Sequence, residues 1–157
     1  MIKVVNNFLH ENDFNNLAQQ VLKANFFYNL GVAKDYGGDG YYFVHKIYEN
    51  NEITSPLFNL IKPILKKINA KALFRAKVNL FPSREKLIEY DQHKDTVFKC
   101  KTFLLSLNTC NGFTRIGKDK TIPSVKNTGI YFPSNILHNS TNCTDTNVRL
   151  NININYF

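Results

Sequence analysis

Val148-Arg149-Leu150-Asn151-Ile152-Asn153-Ile154-Asn155 alternates apolar and polar residues without a break. Successive side chains of a strand point to opposite faces, so the pattern predicts a strand over 148–156. Val148, Leu150, Ile152 and Ile154 take a core face, while Arg149, Asn151, Asn153 and Asn155 take a face that meets something polar. Working back from this strand, others are expected at 72–81, around 90–95, and at 98–108, 113–116 and 127–132. Asn111-Gly112 reads as a tight turn between two of them.

The first half reads differently. A short strand is expected within 2–9 and a helix over about 12–24, where Phe14, Leu17, Ala18, Val21 and Leu22 recur at helical spacing. Ser55 and Pro56 are helix-start residues, and Leu57, Leu60, Ile61, Ile64, Leu65 and Ile68 supply the apolar face that follows. Pro63 lies inside this run and predicts a kink or break. The segment 35–42, with glycines at 37, 38 and 40 between tyrosines, reads as a loop or a substrate-facing lid. Helices first and strands afterwards imply an α+β domain, its helices packed on an antiparallel sheet that closes as a barrel or jelly roll.

A chain of 157 residues suits one domain, with helical support over 1–70 and a β core over 71–157. Its 43% hydrophobic content excludes a disordered chain, and its longest apolar runs, 103–105 and 130–132, are far too short to span a membrane. The first residues lack the apolar stretch of a signal peptide and read as a mature start. Cys100, Cys110 and Cys143 form no CxxC pair, so a reducing, cytoplasmic setting is expected. The net charge of +8 admits nucleic acid or another acidic partner, but the lysines are scattered rather than clustered.

Within Tyr90-Asp91-Gln92-His93-Lys94-Asp95, extended backbone would point His93 and Asp95 to one side. A metal there needs a third ligand, and His138, 45 positions on (138 − 93), is the candidate. Two imidazoles and one carboxylate on one face leave positions open, the arrangement of non-haem iron(II) sites. Each residue alone also reads as an ordinary hydrogen-bonding or structural side chain. Arg149, eleven positions after His138 (149 − 138), adds a guanidinium suited to pairing with the far carboxylate of a metal-bound diacid. A surface arginine on a two-faced strand is its alternative reading.

The order His93-x-Asp95, His138, Arg149 resembles the His-x-Asp…His…Arg pattern of the 2-oxoglutarate/Fe(II) oxygenase superfamily, especially its small phage-type and prolyl-hydroxylase-like members. The likeness takes in Lys101-Thr102-Phe103-Leu104-Leu105-Ser106-Leu107-Asn108, Asn111-Gly112-Phe113-Thr114, Thr128-Gly129-Ile130-Tyr131-Phe132-Pro133 and the polar loop 139–145. It implies a double-stranded β-helix and Fe(II) on His93, Asp95 and His138, with 2-oxoglutarate as cosubstrate. It further implies hydroxylation of an unidentified protein side chain, nucleobase or small molecule, with release of succinate and CO2. Arg149 would bind the distal carboxylate and Asn79 would contact the cosubstrate. Phe81, Ser106 and Asn151 depart from the pattern, standing where relatives often carry tyrosine, tyrosine and serine. Two rivals accompany this reading. One is a non-catalytic cupin-like module binding nucleic acid or another anion; the other is a thiol hydrolase pairing a cysteine with His45, His93 or His138.

Overall fold

The structure is a computed structural model and describes residues 1–31 and 40–157. Most of the loop anticipated at 35–42, including Gly37 and Gly38, lies outside the described residues. The elements run β1 (Lys3–Val5), α1 (Glu11–Val21), β2 (Phe27–Asn29), β3 (Tyr42–Glu49), β4 (Glu52–Ile53), α2 (Phe58–Lys67), β5 (Leu73–Pro82) and β6 (Lys101–Ser106). They continue with β7 (Cys110–Ile116), β8 (Lys120–Ser124), β9 (Thr128–Pro133), β10 (His138–Ser140) and β11 (Val148–Tyr156).

A large antiparallel sheet has the order β1-β9-β6-β11-β5-β3-β2, with β4 paired to β3, and a small sheet has the order β10-β7-β8. The central strand β11 shows why this sheet folds as it does. Leu150, Ile152 and Ile154 face α1 and α2 and join Phe14, Leu17, Ile61 and Ile64 in the main apolar core. Their removal from water, at about 25 cal/mol per Å² of apolar surface, fixes the helices on that face. The other face of β11 looks between the sheets, where Leu104, Ile130 and Phe132 of the large sheet meet Ile116 and Ile122 of the small one. Both faces of β11 are therefore buried, and Arg149, Asn151, Asn153 and Asn155 line a polar interior. This is a double-stranded β-helix with helices on its outer face. No helix is long and apolar enough to cross a membrane among the described residues.

Several sequence expectations are corrected. The first seventy residues are more than helical support, because β3 pairs with β5 and β1 with β9 in the large sheet. In β3, Tyr42 and Val44 pack with Phe81 while Ile47 packs toward the helices, so its buried positions follow no single alternation. Asn111-Gly112 makes no hairpin turn but sits inside β7 at a bulge opposite β8. The chain reverses instead after Ile116, where Gly117 adopts φ +68°. Pro123 hides β8 from sequence reading, since proline fits only edge strands, and β8 is the edge of the small sheet. Helix α2 continues through Pro63, and Ser55 holds the turn before it by accepting the Leu57 N–H at 3.2 Å.

Candidate metal centre

The segment 90–95 forms no regular strand; it is stitched to the small sheet by single bridges at Glu89–Thr141 and His93–His138. His93 and His138 exchange both backbone hydrogen bonds at 2.9 Å, and the Asp95 N–H donates to the Ser134 carbonyl at 3.0 Å. Exposed Asp91, Gln92 and Lys94 leave this stretch little apolar surface with which to extend a strand. Local extension nevertheless turns His93 and Asp95 inward together, as expected. The imidazole nitrogens of His93 and His138 and a carboxylate oxygen of Asp95 lie within 4.8 Å of one another. His138 Nε2 is 3.7 Å from Asp95 Oδ1.

Each of the three candidate ligands is held in a form suited to a cation. The His138 Nδ1–H donates to the Ile136 carbonyl at 2.9 Å, which leaves Nε2 as the lone-pair nitrogen facing Asp95. Burial first, and the neighbouring His138 next, push the His93 pKa down to about 4, so its ring is neutral at physiological pH. Its Nδ1 is buried without a hydrogen-bond partner. Burial alone would raise the Asp95 pKa, but His138, Asn155, Arg75 and Thr102 outweigh it and bring the carboxyl down to about 2. Asp95 Oδ2 accepts from Thr102 Oγ1 at 2.9 Å, Asn155 Nδ2 at 3.0 Å and Asn153 Nδ2 at 3.3 Å. Oδ1 carries only a long contact with Arg75, at 3.4 Å, and points toward His138. One oxygen is tethered and the other is available.

The centre lies at one end of a ladder built by β5 and β11. Their register pairs Phe81 with Arg149, Asn79 with Asn151, Lys77 with Asn153, and Arg75 with Asn155. Arg75 chelates Asn155 Oδ1 through Nε at 3.1 Å and Nη2 at 2.9 Å. On the next rungs Asn79 Nδ2 donates to Asn151 Oδ1 at 3.0 Å, while Asn79 Oδ1 and Asn151 Nδ2 are left without partners. A cavity of about 150 Å³ runs along the ladder, lined by Asn79, Phe81, His93, Asp95, His138 and Asn151 among others.

At the far end Arg149 is 1% exposed. Its Nη1 donates to Ser140 Oγ and to the Thr141 carbonyl, the latter at 2.9 Å, and Nη2 donates to Thr114 Oγ1 at 2.8 Å. Its Nε is buried and unpaired, and no carboxylate of the described residues forms an ion pair with it. Burial pulls its pKa down to about 10. Arg149 itself stands behind the cavity wall, which its partners Thr114 and Ser140 form together with Phe81. Phe81 stacks on Tyr90 at 5.7 Å, and the buried Tyr90 hydroxyl also lacks a partner. Gly112 makes room for the arginine: a Cβ there would lie 2.4 Å from the Asn142 carbonyl oxygen and 2.6 Å from Arg149 Cδ.

Sequence reading anticipated His93, Asp95, His138, Arg149 and Asn79, and the structure brings all five to one interior. It missed Thr102, Asn153 and Asn155 as holders of Asp95, and Arg75, Lys77 and Tyr90 altogether. The alternation Arg75, Lys77, Asn79 on one face of β5 was the available signal. The three cysteines are buried, and none bonds to a histidine, which removes the basis of a thiol hydrolase. Cys110, Cys143 and Asp145 also bring their ligand atoms within 4.8 Å of one another, but no histidine joins them.

No known family profile matches the sequence, and no curated protein matches it. Solved structures do. A prolyl hydroxylase from Trichoplax adhaerens, in complex with a hypoxia inducible factor oxygen degradation domain peptide, superposes with TM-score 0.70 at 18% identity, over 99% of this chain and 83% of that one. A 2OG-Fe(II) oxygenase family oxidoreductase from Burkholderia pseudomallei gives TM-score 0.73 at 11% identity, over 99% and 84%. The non-heme α-ketoglutarate dependent epimerase SnoN from nogalamycin biosynthesis gives 0.70 at 13%, over 99% and 77%. The chain therefore has the double-stranded β-helix fold on which these 2-oxoglutarate/Fe(II) enzymes are built.

Proposed function

We propose that the protein is an Fe(II)- and 2-oxoglutarate-dependent oxygenase that hydroxylates its substrate with release of succinate and CO2. The observation that carries this reading is a His/carboxylate triad in a cavity with a buried arginine directly behind its wall, held by the lining residues Thr114 and Ser140, that no carboxylate of the described residues balances. A metal-binding barrel without a cosubstrate has no use for Arg149, because an enclosed cation without an anion is costly.

His93, Asp95 and His138 would hold the iron. An ion bound at about 2 Å by nitrogen and oxygen ligands draws them within about 4 Å of one another, and the 3.7 Å between His138 and Asp95 already meets that. The iron supplies oxygen activation when 2-oxoglutarate is bound to it. The protein's own residues orient and shield the reactants. Thr102, Asn153 and Asn155 fix the Asp95 carboxylate so that one oxygen faces the metal. Arg149 and Asp95 stand at opposite ends of the ladder. From Arg149 to Asn153, which holds Asp95, is four strand residues, roughly 13 Å of backbone. Arg149 takes the distal carboxylate by charge-assisted hydrogen bonds. The Tyr90 ring stacks on Phe81, and its unpartnered hydroxyl would supply the phenol that position 81 lacks. Asn79 and Asn151 present a free acceptor and a free donor to the middle of the chain.

Succinate release dependent on added Fe(II) and 2-oxoglutarate tests the reading, with a substrate panel of peptides, amino acids, oligonucleotides and small metabolites. Protein that binds neither Mn(II) nor 2-oxoglutarate in calorimetry would instead be a cupin-like binding module.

A further inference from the structure

A second, larger hollow of about 620 Å³ adjoins the metal cavity, bounded by Phe27, Tyr28, Tyr42, Lys46, Arg75 and Lys77 among others. Tyr42, Arg75 and Lys77 line both spaces, so β3 and β5 form the throat between them. The cations here are not equivalent. Lys46 pairs with Glu49, and Arg75 is taken up by Asn155 and Asp95. Lys77 forms no hydrogen bond or ion pair with any described residue; its Nζ lies over the Tyr42 ring, 5.7 Å from the centroid. The lysine is partly buried and lines both cavities. Burial first, and the Arg75 charge next, pull its pKa down to about 8. At neutral pH it still carries its proton.

The register separates Lys77 from the cosubstrate anchor. It lies opposite Asn153, which donates to Asp95, whereas Arg149 lies opposite Phe81 with the Asn79–Asn151 rung between them. Lys77 is thus at the metal end, where the group to be oxidised must arrive, and it faces the hollow that leads there. The outer wall of that hollow is aromatic. Phe27, 68% exposed, lies opposite Val44 in the β2–β3 register, on the face that carries Tyr42 and Lys46, whereas Tyr28 lies opposite Phe43 and packs with Tyr41 and Phe43 on the other face.

We propose that this hollow is the substrate site and that Lys77 anchors an anionic group, a carboxylate or a phosphate, of a substrate whose planar or apolar body lies between Phe27 and Tyr42. The proposal rests on the oxygenase reading for its place beside the metal, but the anion subsite stands on its own geometry. A lysine ammonium is a compact point charge, so it selects for negative charge and leaves the shape of the acid to the surrounding wall. Lys77 is a specificity-determining residue in this scheme.

The test uses the full chain loaded with Mn(II) and saturating 2-oxoglutarate without oxygen, titrated calorimetrically with benzoate and with phenyl phosphate. At least one probe binds the wild type. Lys77→Met weakens it about tenfold or more, the worth of one charge-assisted hydrogen bond, and leaves 2-oxoglutarate affinity within about twofold. Lys77→Arg retains most of the probe affinity, and Arg149→Met shows the opposite selectivity, losing 2-oxoglutarate. Preference for benzoate assigns a carboxylate, and preference for phenyl phosphate a phosphate. Lys77→Met melts at or above the wild-type temperature, because it removes a partly buried charge that has no partner among the described residues; should it melt lower, Lys77→Gln carries the same comparison. The proposal is overturned if neither probe binds, if both bind Lys77→Met as well as wild type, or if Lys77→Met loses 2-oxoglutarate as severely as the probe. Protein that holds neither Mn(II) nor 2-oxoglutarate would sink the oxygenase reading alone. The same titration without metal then decides the anion subsite, upheld if Lys77→Met loses the probe and overturned if it does not.

Discussion

The two ends of the β5–β11 ladder hold opposite charges and treat them in opposite ways. At the metal end, Asp95 is embraced by Thr102, Asn153, Asn155 and Arg75, so its charge and orientation exist before any ion arrives. At the other end, Arg149 is oriented by Ser140, Thr141 and Thr114, yet these neutral partners fix its direction without cancelling its charge. One end is satisfied and preorganised; the other is preorganised and unsatisfied. An interior built this way is suited to a cation at its first end and a small anion at its second, with the neutral asparagine rung between them.

The largest effect should come from breaking the satisfied end. Asp95→Ala removes a ligand and leaves Arg75 facing the cavity without its carboxylate, so Mn(II) affinity should fall more than about 100-fold, beyond the 10- to 100-fold typical of changes to ligand-orienting residues. Stability should follow pH in a defined sense. The folded-state pKa of Asp95, about 2, lies below its ordinary 3.8, so its contribution is present above about pH 4 and is lost as pH falls through 2. Urea unfolding of the metal-free protein should therefore show the gap between wild type and Asp95→Ala closing between pH 4 and pH 2. A gap that persists at pH 2 would mean that the variant loses packing rather than charge.

Arg149→Met should behave in the reverse manner. It deletes an unbalanced cation while keeping an apolar stem of similar length, so metal affinity and melting temperature should hold. The 2-oxoglutarate dissociation constant should rise about 10- to 100-fold, as expected for charge-assisted hydrogen bonds worth roughly 1.5–3 kcal/mol. Equal loss of metal and cosubstrate would erase the distinction between the ends.

Gly112→Ala sharpens the comparison by moving Arg149 without removing it. The added carbon would meet the Asn142 backbone carbonyl at 2.4 Å, an atom that cannot swing aside, as well as Arg149 Cδ. Overpacking of this kind costs typically 1–3 kcal/mol, a fall of several degrees in melting temperature. The 2-oxoglutarate affinity should fall about tenfold or less, with Mn(II) binding spared.

Gly112 also marks where sequence reading stops. The alternation of β11 made its two faces legible, and the His-x-Asp spacing made one half of the metal end legible, because both are local periodicities. Asn111-Gly112 carried a strong local turn signal, and the structure uses it as a bulge, since the space that glycine frees belongs to an arginine 37 positions away (149 − 112). β3 escaped notice because its buried residues serve two different environments, and β8 because its proline is tolerated only at a sheet edge. Lys77 and Arg75 lie within the strand expected at 72–81, and nothing local in the sequence assigns them a face. Only the register with Asn153 and Asn155 shows that they face inward. What was legible depended on neighbours in sequence; what was not depended on partners across the sheets.

The smallest expected effect tests whether the unsatisfied end extends beyond Arg149. Tyr90 stacks on Phe81, and Arg149 lies 5.6 Å from that same ring. Burial pushes the Tyr90 pKa up, while the charges of Arg84 and Arg149 pull against it, so the phenol stays protonated and available as a donor. Its hydroxyl is buried with no partner, and an unpaired buried hydroxyl costs about 1–3 kcal/mol. Tyr90→Phe keeps the stack and deletes only the oxygen. Without cosubstrate the variant should therefore be as stable as wild type or slightly more so, because an orphan polar atom has gone. With 2-oxoglutarate the order should invert: its dissociation constant should rise about two- to tenfold, consistent with the loss of one neutral hydrogen bond, and the ligand-induced rise in melting temperature should shrink accordingly. Unchanged affinity in Tyr90→Phe would confine the anion site to Arg149 and its hydroxyl neighbours. A loss as large as that of Arg149→Met would show that the phenol orients the arginine rather than adding a separate bond to the carboxylate.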